Sequence, residues 1–104
     1  MNMLKVRGQF VSPLEIEDCL ATHEAVKECA IVGVEDDAGL TIPKAFVVLR
    51  EGHEASDALV TALQEQCKTR LTRYKFPREV AFVDGLPRND RGKIMRRKLL
   101  EMNA

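Results

Sequence analysis

Cys29 to Val34 read "CAIVGV", and Lys44 to Arg50 read "KAFVVLR". Both are apolar runs of strand length, and the second is rich in β-branched and aromatic residues. Neither alternates with polar residues, so both read as strands buried on two faces rather than one. The acidic stretch "EDDAG", Glu35 to Gly39, separates them as a turn. A third strand is read at "EVAFVD", Glu79 to Asp84. The rest of the chain has to cover this small sheet.

Outward from that centre, helices and a hairpin follow. "SPLE", Ser12 to Glu15, opens a helix: Ser12 suits the cap, Pro13 the first helical position, and Glu15 can complete a capping box. Ile16, Cys19 and Leu20 mark its apolar face, and it should stop near His23. Before it, Leu4–Val6 and Gln9–Val11 read as a short hairpin around Gly8, whose missing Cβ permits a positive φ. Ser56 and Asp57 open a second helix with Leu59, Leu63, Cys67 and Leu71 as its stripe, and Pro77 bars continuation. Gly85 to Gly92 is a loop, and Ile94 to Met102 a terminal helix anchored by Leu99 and Leu100. The expected architecture is α+β: about three central strands plus an N-terminal hairpin, with helices packed on the sheet.

A length of 104 residues allows one core, and 45% hydrophobic with 31% charged residues is ordinary for a globular domain. A formal net charge of zero gives no global field to attract nucleic acid or an anionic membrane. Cys19, Cys29 and Cys67 are widely spaced, form no CxxC pair and lie on apolar periodic positions, so they read as small buried core residues in a reducing, cytoplasmic setting. With two histidines, no metal site is expected. The abrupt entry of "MNMLKV" into a strand leads us to expect residues 1–104 to be a piece excised at a domain boundary.

Charge is uneven. Arg88, Arg91, Lys93, Arg96, Arg97 and Lys98 stand against the single acid Asp90. This is no phosphate loop of the Walker type, because the spacing of Gly85 and Gly92 is wrong and Ile94 follows the lysine in place of Ser or Thr. A nucleic-acid module would want interleaved aromatics, which the stretch lacks. A membrane-surface helix would need more than two turns. His23 at a helix end and His53 in a loop suggest no catalytic triad. What remains are loop elements at Gly8, at Tyr74 to Arg78 and at Leu86 to Lys93 that suit a lid over a phosphate-bearing ligand held elsewhere.

Three stretches carry a resemblance: "KVRGQFVSPLEIE", "EDDAG…PKAFVVL" and "LTRYKFPREVAFVDGLPRNDRGKIMRRKL". Together they resemble the C-terminal domain of the adenylate-forming enzymes, the acyl- and aryl-CoA synthetases and their relatives, and are most similar to benzoate-type CoA ligases. The resemblance runs from Leu4 to Leu100. It implies a two-step ligase: a carboxylic acid and ATP give an acyl-adenylate and pyrophosphate, and CoA then gives acyl-CoA and AMP. It implies a large N-terminal domain that binds the acid, ATP and Mg2+, and a small mobile domain that is inactive alone.

Residue by residue, the resemblance matches Lys93 to the adenylation lysine and Gly92 to the loop glycine beside the nucleotide. It matches Gly8 to the glycine that lines the pantetheine tunnel. Tyr74 and Arg78 fall where some relatives contact the CoA nucleotide, and Phe76 departs from the basic residue some relatives carry there. The hinge position aligns near Met1. In relatives the adenylation lysine can be reversibly acetylated, which makes Lys93 a candidate for the same control. Expected partners are the large domain, ATP or AMP, acyl-adenylate and CoA, with neither nucleic acid nor membrane. The alternative is a stand-alone interaction module that keeps the fold without catalysis.

Overall fold

The computed structural model describes residues 3–6, 8–72 and 75–102. The order of elements is β1 (Leu4–Val6), β2 (Gln9–Val11), α1 (Pro13–Ala21), β3 (Val26–Glu35), β4 (Thr41–Leu49), α2 (Asp57–Arg70), β5 (Glu79–Phe82) and α3 (Arg96–Met102). The α+β reading holds: a three-stranded sheet in the order β3-β4-β5 and a separate two-stranded hairpin. β3 and β4 are antiparallel, whereas β5 runs parallel to β4 and is reached through the α2 crossover.

The strand runs are buried on both faces because the pleat sends alternate side chains to opposite sides. Cys29 and Ile31 of β3 join Ala45 and Val47 of β4 under α1 and α2, where Ile16, Leu20, Leu63 and Cys67 complete the cluster. Ala30, Val32 and Val34 with Ile42, Phe46 and Val48 form the other face, covered by Leu86 and by Leu99 of α3. All three cysteines are buried free thiols. Burial pushes the Cys29 thiol up to about 12, with the nearby Glu17 carboxylate adding to it. Burial likewise pushes Cys67 up to about 12, helped by contact with Cys19.

Several boundaries differ from the reading, each for a local reason. β4 begins at Thr41 and takes in Pro43, although a proline in a central strand ordinarily argues against one. The Pro43 carbonyl accepts from Arg78 N–H (2.9 Å), so that residue's polar groups face the β5 side, ahead of where β5 starts. Its missing N–H therefore forfeits no bond to β3. The capping box at α1 does not form: Ser12 is extended but makes no side-chain cap. Glu15 instead pairs with Lys75 at 2.9 Å. At α2 the cap is as read, with Ser56 Oγ accepting from Leu59 N–H at 3.0 Å. The last helix starts at Arg96 rather than Ile94, because Ile94 pairs with Arg88 in a β-bridge.

The far end of α1 is closed by α2. The Gln66 side-chain amide donates to the Cys19 carbonyl (2.7 Å) and to Thr22 Oγ1 (2.9 Å), and Arg70 donates to Thr22 Oγ1 (3.0 Å). One of these bonds adds a donor to a helix-end carbonyl, Cys19, that Thr22 also caps, and the other two fix the Thr22 hydroxyl. They hold the two helices as one layer, and the β1–β2 hairpin packs through Val6 and Val11 into the same core.

Candidate functional site

Lys93 stands on a tight hairpin whose shape is set by one residue, Asn89. The Asn89 N–H donates to the Lys93 carbonyl (2.9 Å), and the Asn89 carbonyl accepts from Gly92 N–H (2.9 Å). The Asn89 side-chain oxygen accepts from Arg91 N–H (2.9 Å) and Lys93 N–H (3.0 Å). The Lys93 backbone is thus held on both its donor and its acceptor. Gly92 closes the turn with φ of +82°, the left-handed position that this kind of three-residue hairpin gives to glycine. The Lys93 side chain is exposed and, among the described residues, no carboxylate pairs with its ammonium. It stands at the rim of a groove of about 680 Å3 whose walls include Leu4, Gly33, Thr41, Ile94 and Arg96.

Two neighbouring arginines, to which the sequence reading assigned no role, tie this hairpin to β3. Arg88 donates to the Gly92 carbonyl (2.6 Å) and to Glu28 Oε1 (3.2 Å). Arg96 makes the more buried tie. Its guanidinium grips both oxygens of Glu17 and donates to the Ile31 carbonyl at 2.8 Å. Glu17 in turn accepts from Ile31 N–H at 2.7 Å. Ile31 lies on the outer edge of the sheet, where both its backbone groups would otherwise lack ladder partners. The ion pair therefore closes that edge and joins α1, β3 and α3 at one point. Asn89 three residues before Gly92 was the legible signal for the turn; nothing in the local pattern marked Glu17 or Arg96 as partners.

Gly8 and Arg78 meet elsewhere. They line a second cleft of about 260 Å3 together with Lys5, Asp36, Thr41 and Ile42. Gly8 sits at the hairpin tip with φ of +80°, and a Cβ there would meet nothing within 4 Å. Arg78 is exposed, while its backbone is fixed by Pro43 and by Gln64, whose side-chain amide donates to the Arg78 carbonyl at 3.3 Å. Tyr74 and the hinge position near Met1 lie outside the described residues. Phe76 is half-buried against the core, with the Lys68 ammonium 4.7 Å from its ring centre, which accounts for an aromatic where a base was looked for. Thr41 lines both clefts, so the predicted residues fall into two groups separated by one strand end. Among the described residues no three His, Cys, Asp or Glu side chains come together as a metal site, and no helix is long and apolar enough to cross a membrane.

Residues 15–93 match the model of the AMP-binding enzyme C-terminal domain. The chain is 52% identical over 98 residues to a benzoate–CoA ligase of Thauera aromatica, covering 94% of this chain and 19% of that enzyme. An anthranilate CoA ligase solved with anthranoyl-AMP superposes with a TM-score of 0.89 and 43% identity, covering 96% of this chain and 19% of that one. A benzoate CoA ligase from Burkholderia xenovorans gives a TM-score of 0.80 and 46% identity, covering 85% and 18%. The chain spans about a fifth of the length of these relatives.

Proposed function

Because this chain belongs to the AMP-binding enzyme C-terminal domain family, we propose that it is the mobile C-terminal domain of an ATP-dependent, AMP-forming aryl-CoA ligase, with benzoate or a related aromatic acid as substrate. The observation that carries the reading is the division of the candidate residues: Lys93 stands at one groove, Gly8 and Arg78 at another. A domain that serves two half-reactions in turn needs two such faces. The identity to the Thauera benzoate–CoA ligase supports the aromatic substrate.

In the first half-reaction the acid's carboxylate oxygen attacks the α-phosphorus of ATP, and pyrophosphate leaves. Lys93 brings a point charge to oxygens that gain negative charge as the bond to pyrophosphate breaks. In the second, the CoA sulfur attacks the adenylate carbonyl and AMP leaves. Gly8 then lines the passage for the pantetheine arm, with Arg78 and Tyr74 toward the CoA nucleotide. Among the described residues no three His, Cys, Asp or Glu side chains come together; Mg2+ is assigned to the larger domain, and no step here is routed through it. The acid pocket belongs there as well, and the isolated domain has no activity of its own.

The test is a comparison of half-reactions in the full-length ligase that carries this domain. Lys93→Ala abolishes acid-dependent ATP–pyrophosphate exchange while thioester formation from supplied acyl-adenylate is comparatively intact. Gly8→Val gives the opposite split. Equal losses of both halves in both variants would sink the division of labour.

A further inference from the structure

Asn89 shapes the Lys93 hairpin, but its bonds are all local and leave the direction of the hairpin unset. The stem of the hairpin is seated by Ile94, packed against the β3–β4 core, and by the Met95 N–H bond to the Pro87 carbonyl (2.8 Å); two arginine ties then fasten it sideways to the sheet. On the upstream side the Arg88–Glu28 pair is open to water, with side chains 41% and 29% exposed, and such a pair is easily exchanged for solvent. On the downstream side α3 is a seven-residue helix with a single fully buried side chain, Leu99. So short a helix has little stability of its own and takes its direction from what it is fastened to. It is fastened at its first residue, Arg96, three positions from Lys93.

The geometry points to Arg96, locked by Glu17, as the positioning residue that aims Lys93. This rests on the reading of Lys93 as the adenylation lysine. A planar guanidinium bound to both oxygens of a carboxylate admits one orientation, where a lone ammonium would admit many. Glu17 is the rigid half of the pair: it lies in α1, is 9% exposed, and is held a second time by Ile31 N–H. Arg96 lines the same groove as Lys93 and stands three residues further along the chain, so a shift of its backbone is passed to the lysine through Ile94 and Met95. Without the pair the hairpin keeps its Asn89 turn and the Ile94 contact with the core, and loses the tie that fixes its angle along the β3 edge. A misplacement of about 1 Å in a group that must meet reacting oxygens can cost on the order of 100-fold in rate.

The experiment compares Arg96→Met, Arg96→Lys and Lys93→Ala in the full-length ligase. Arg96→Met keeps bulk and removes the fork. It should lower kcat for ATP–pyrophosphate exchange by on the order of 100-fold, with KM for ATP changed by less than about threefold and the thioester step from supplied acyl-adenylate unchanged within the same margin. Arg96→Lys should recover about a tenth of the lost rate, since one of the two bonds can re-form. Should Arg96→Met fail to fold, Glu17→Gln replaces it, because its amide oxygen still serves Ile31 N–H while the charge is gone. If Lys93→Ala abolishes adenylation while the Arg96 and Glu17 variants adenylate normally, the positioning role is overturned and the lysine reading survives. If the Arg96 variants lose both half-reactions equally, the residue is structural only and the inference is again overturned. If Lys93→Ala adenylates normally, the underlying reading falls instead.

Discussion

Replacing Glu17 by alanine separates a structural ion pair from a decorative one on the same helix. Glu17 and Glu15 both lie on α1 and both pair with a cation, Arg96 and Lys75 respectively. Their surroundings differ. The Glu17 and Arg96 side chains are 11% and 32% exposed, whereas Glu15 and Lys75 are 40% and 25% exposed. Losing Glu17 leaves Ile31 N–H, on a residue with no exposure, without an acceptor. An unsatisfied buried donor costs about 1–3 kcal/mol. Breaking a buried pair by removing one partner costs about 3–5 kcal/mol. The two overlap, and Arg96 is a third exposed, so water can rehydrate it in part. The low end applies: about 3 kcal/mol. For a chain of this size about 4 °C or more is lost per kcal/mol, so the midpoint should fall by roughly 12 °C or more.

Glu15→Ala gives up only a half-exposed pair and a favourable helix-end charge, about 1 kcal/mol or less in total. The assays are thermal unfolding for the midpoint in °C and urea unfolding for the free energy, both followed by far-UV circular dichroism, with the m-value checked for constancy. A double-mutant cycle with Arg96→Met then isolates the pair from the orphaned N–H. If Glu17→Ala costs no more than Glu15→Ala, the pair is a solvated surface contact. The edge-closing role would then be wrong, and with it the physical basis for aiming Lys93.

Two further outcomes follow from the core and the hairpin. Cys29 and Cys67 keep their protons in the folded chain up to about pH 12, while unfolded thiols lose theirs near 9.0. The native state therefore binds more protons between those values, so the stability is fully present below pH 9 and declines as pH rises toward 12, by up to about 1.4 kcal/mol per pH unit for each thiol. A Cys29→Ala chain should show a shallower decline in its urea midpoint over that range, and an unchanged slope would count against the burial argument. In Gly33→Ala the new Cβ would lie 2.8 Å from Leu4 Cδ2 and 3.2 Å from Thr41 Cγ2. The leucine tip can yield, so the cost should be near the low end of overpacking, about 1 kcal/mol. The Leu4 methyl resonances should shift while those of Val47 stay in place; unmoved Leu4 signals would refute the packing of Leu4 over Gly33.

Most of the architecture was legible because it rests on short-range rules. An unbroken apolar run such as Cys29–Val34 must be buried on both faces wherever it goes, and Ser56 caps α2 through atoms three residues apart. Gly8 and Gly92 could be read as left-handed positions from turn chemistry alone, and both are. The family resemblance offered Lys93, Gly92, Gly8 and Arg78 as candidates; the fold adds where they stand, in two clefts. Where the reading failed, another partner had displaced the expected one: Ile94 bridges to Arg88 instead of opening the last helix. Glu15 gives up the capping box for Lys75, sixty positions away. Pro43 enters a central strand because of which side its carbonyl faces, a matter of sheet order and not of sequence.

The same division runs through the candidate site. Residue types, spacing and the turn at Asn89 determine that a lysine is offered on a rigid hairpin. Where that hairpin points is decided by Arg96 meeting Glu17 across 79 positions of chain, at a strand edge that exists only once the sheet has formed. That Gly8 and Arg78 share a cleft, apart from Lys93, is likewise a product of packing. Local hydrogen bonds depend on neighbours in sequence and can be read from it; the direction of a side chain in space depends on partners that only the closed fold brings within reach.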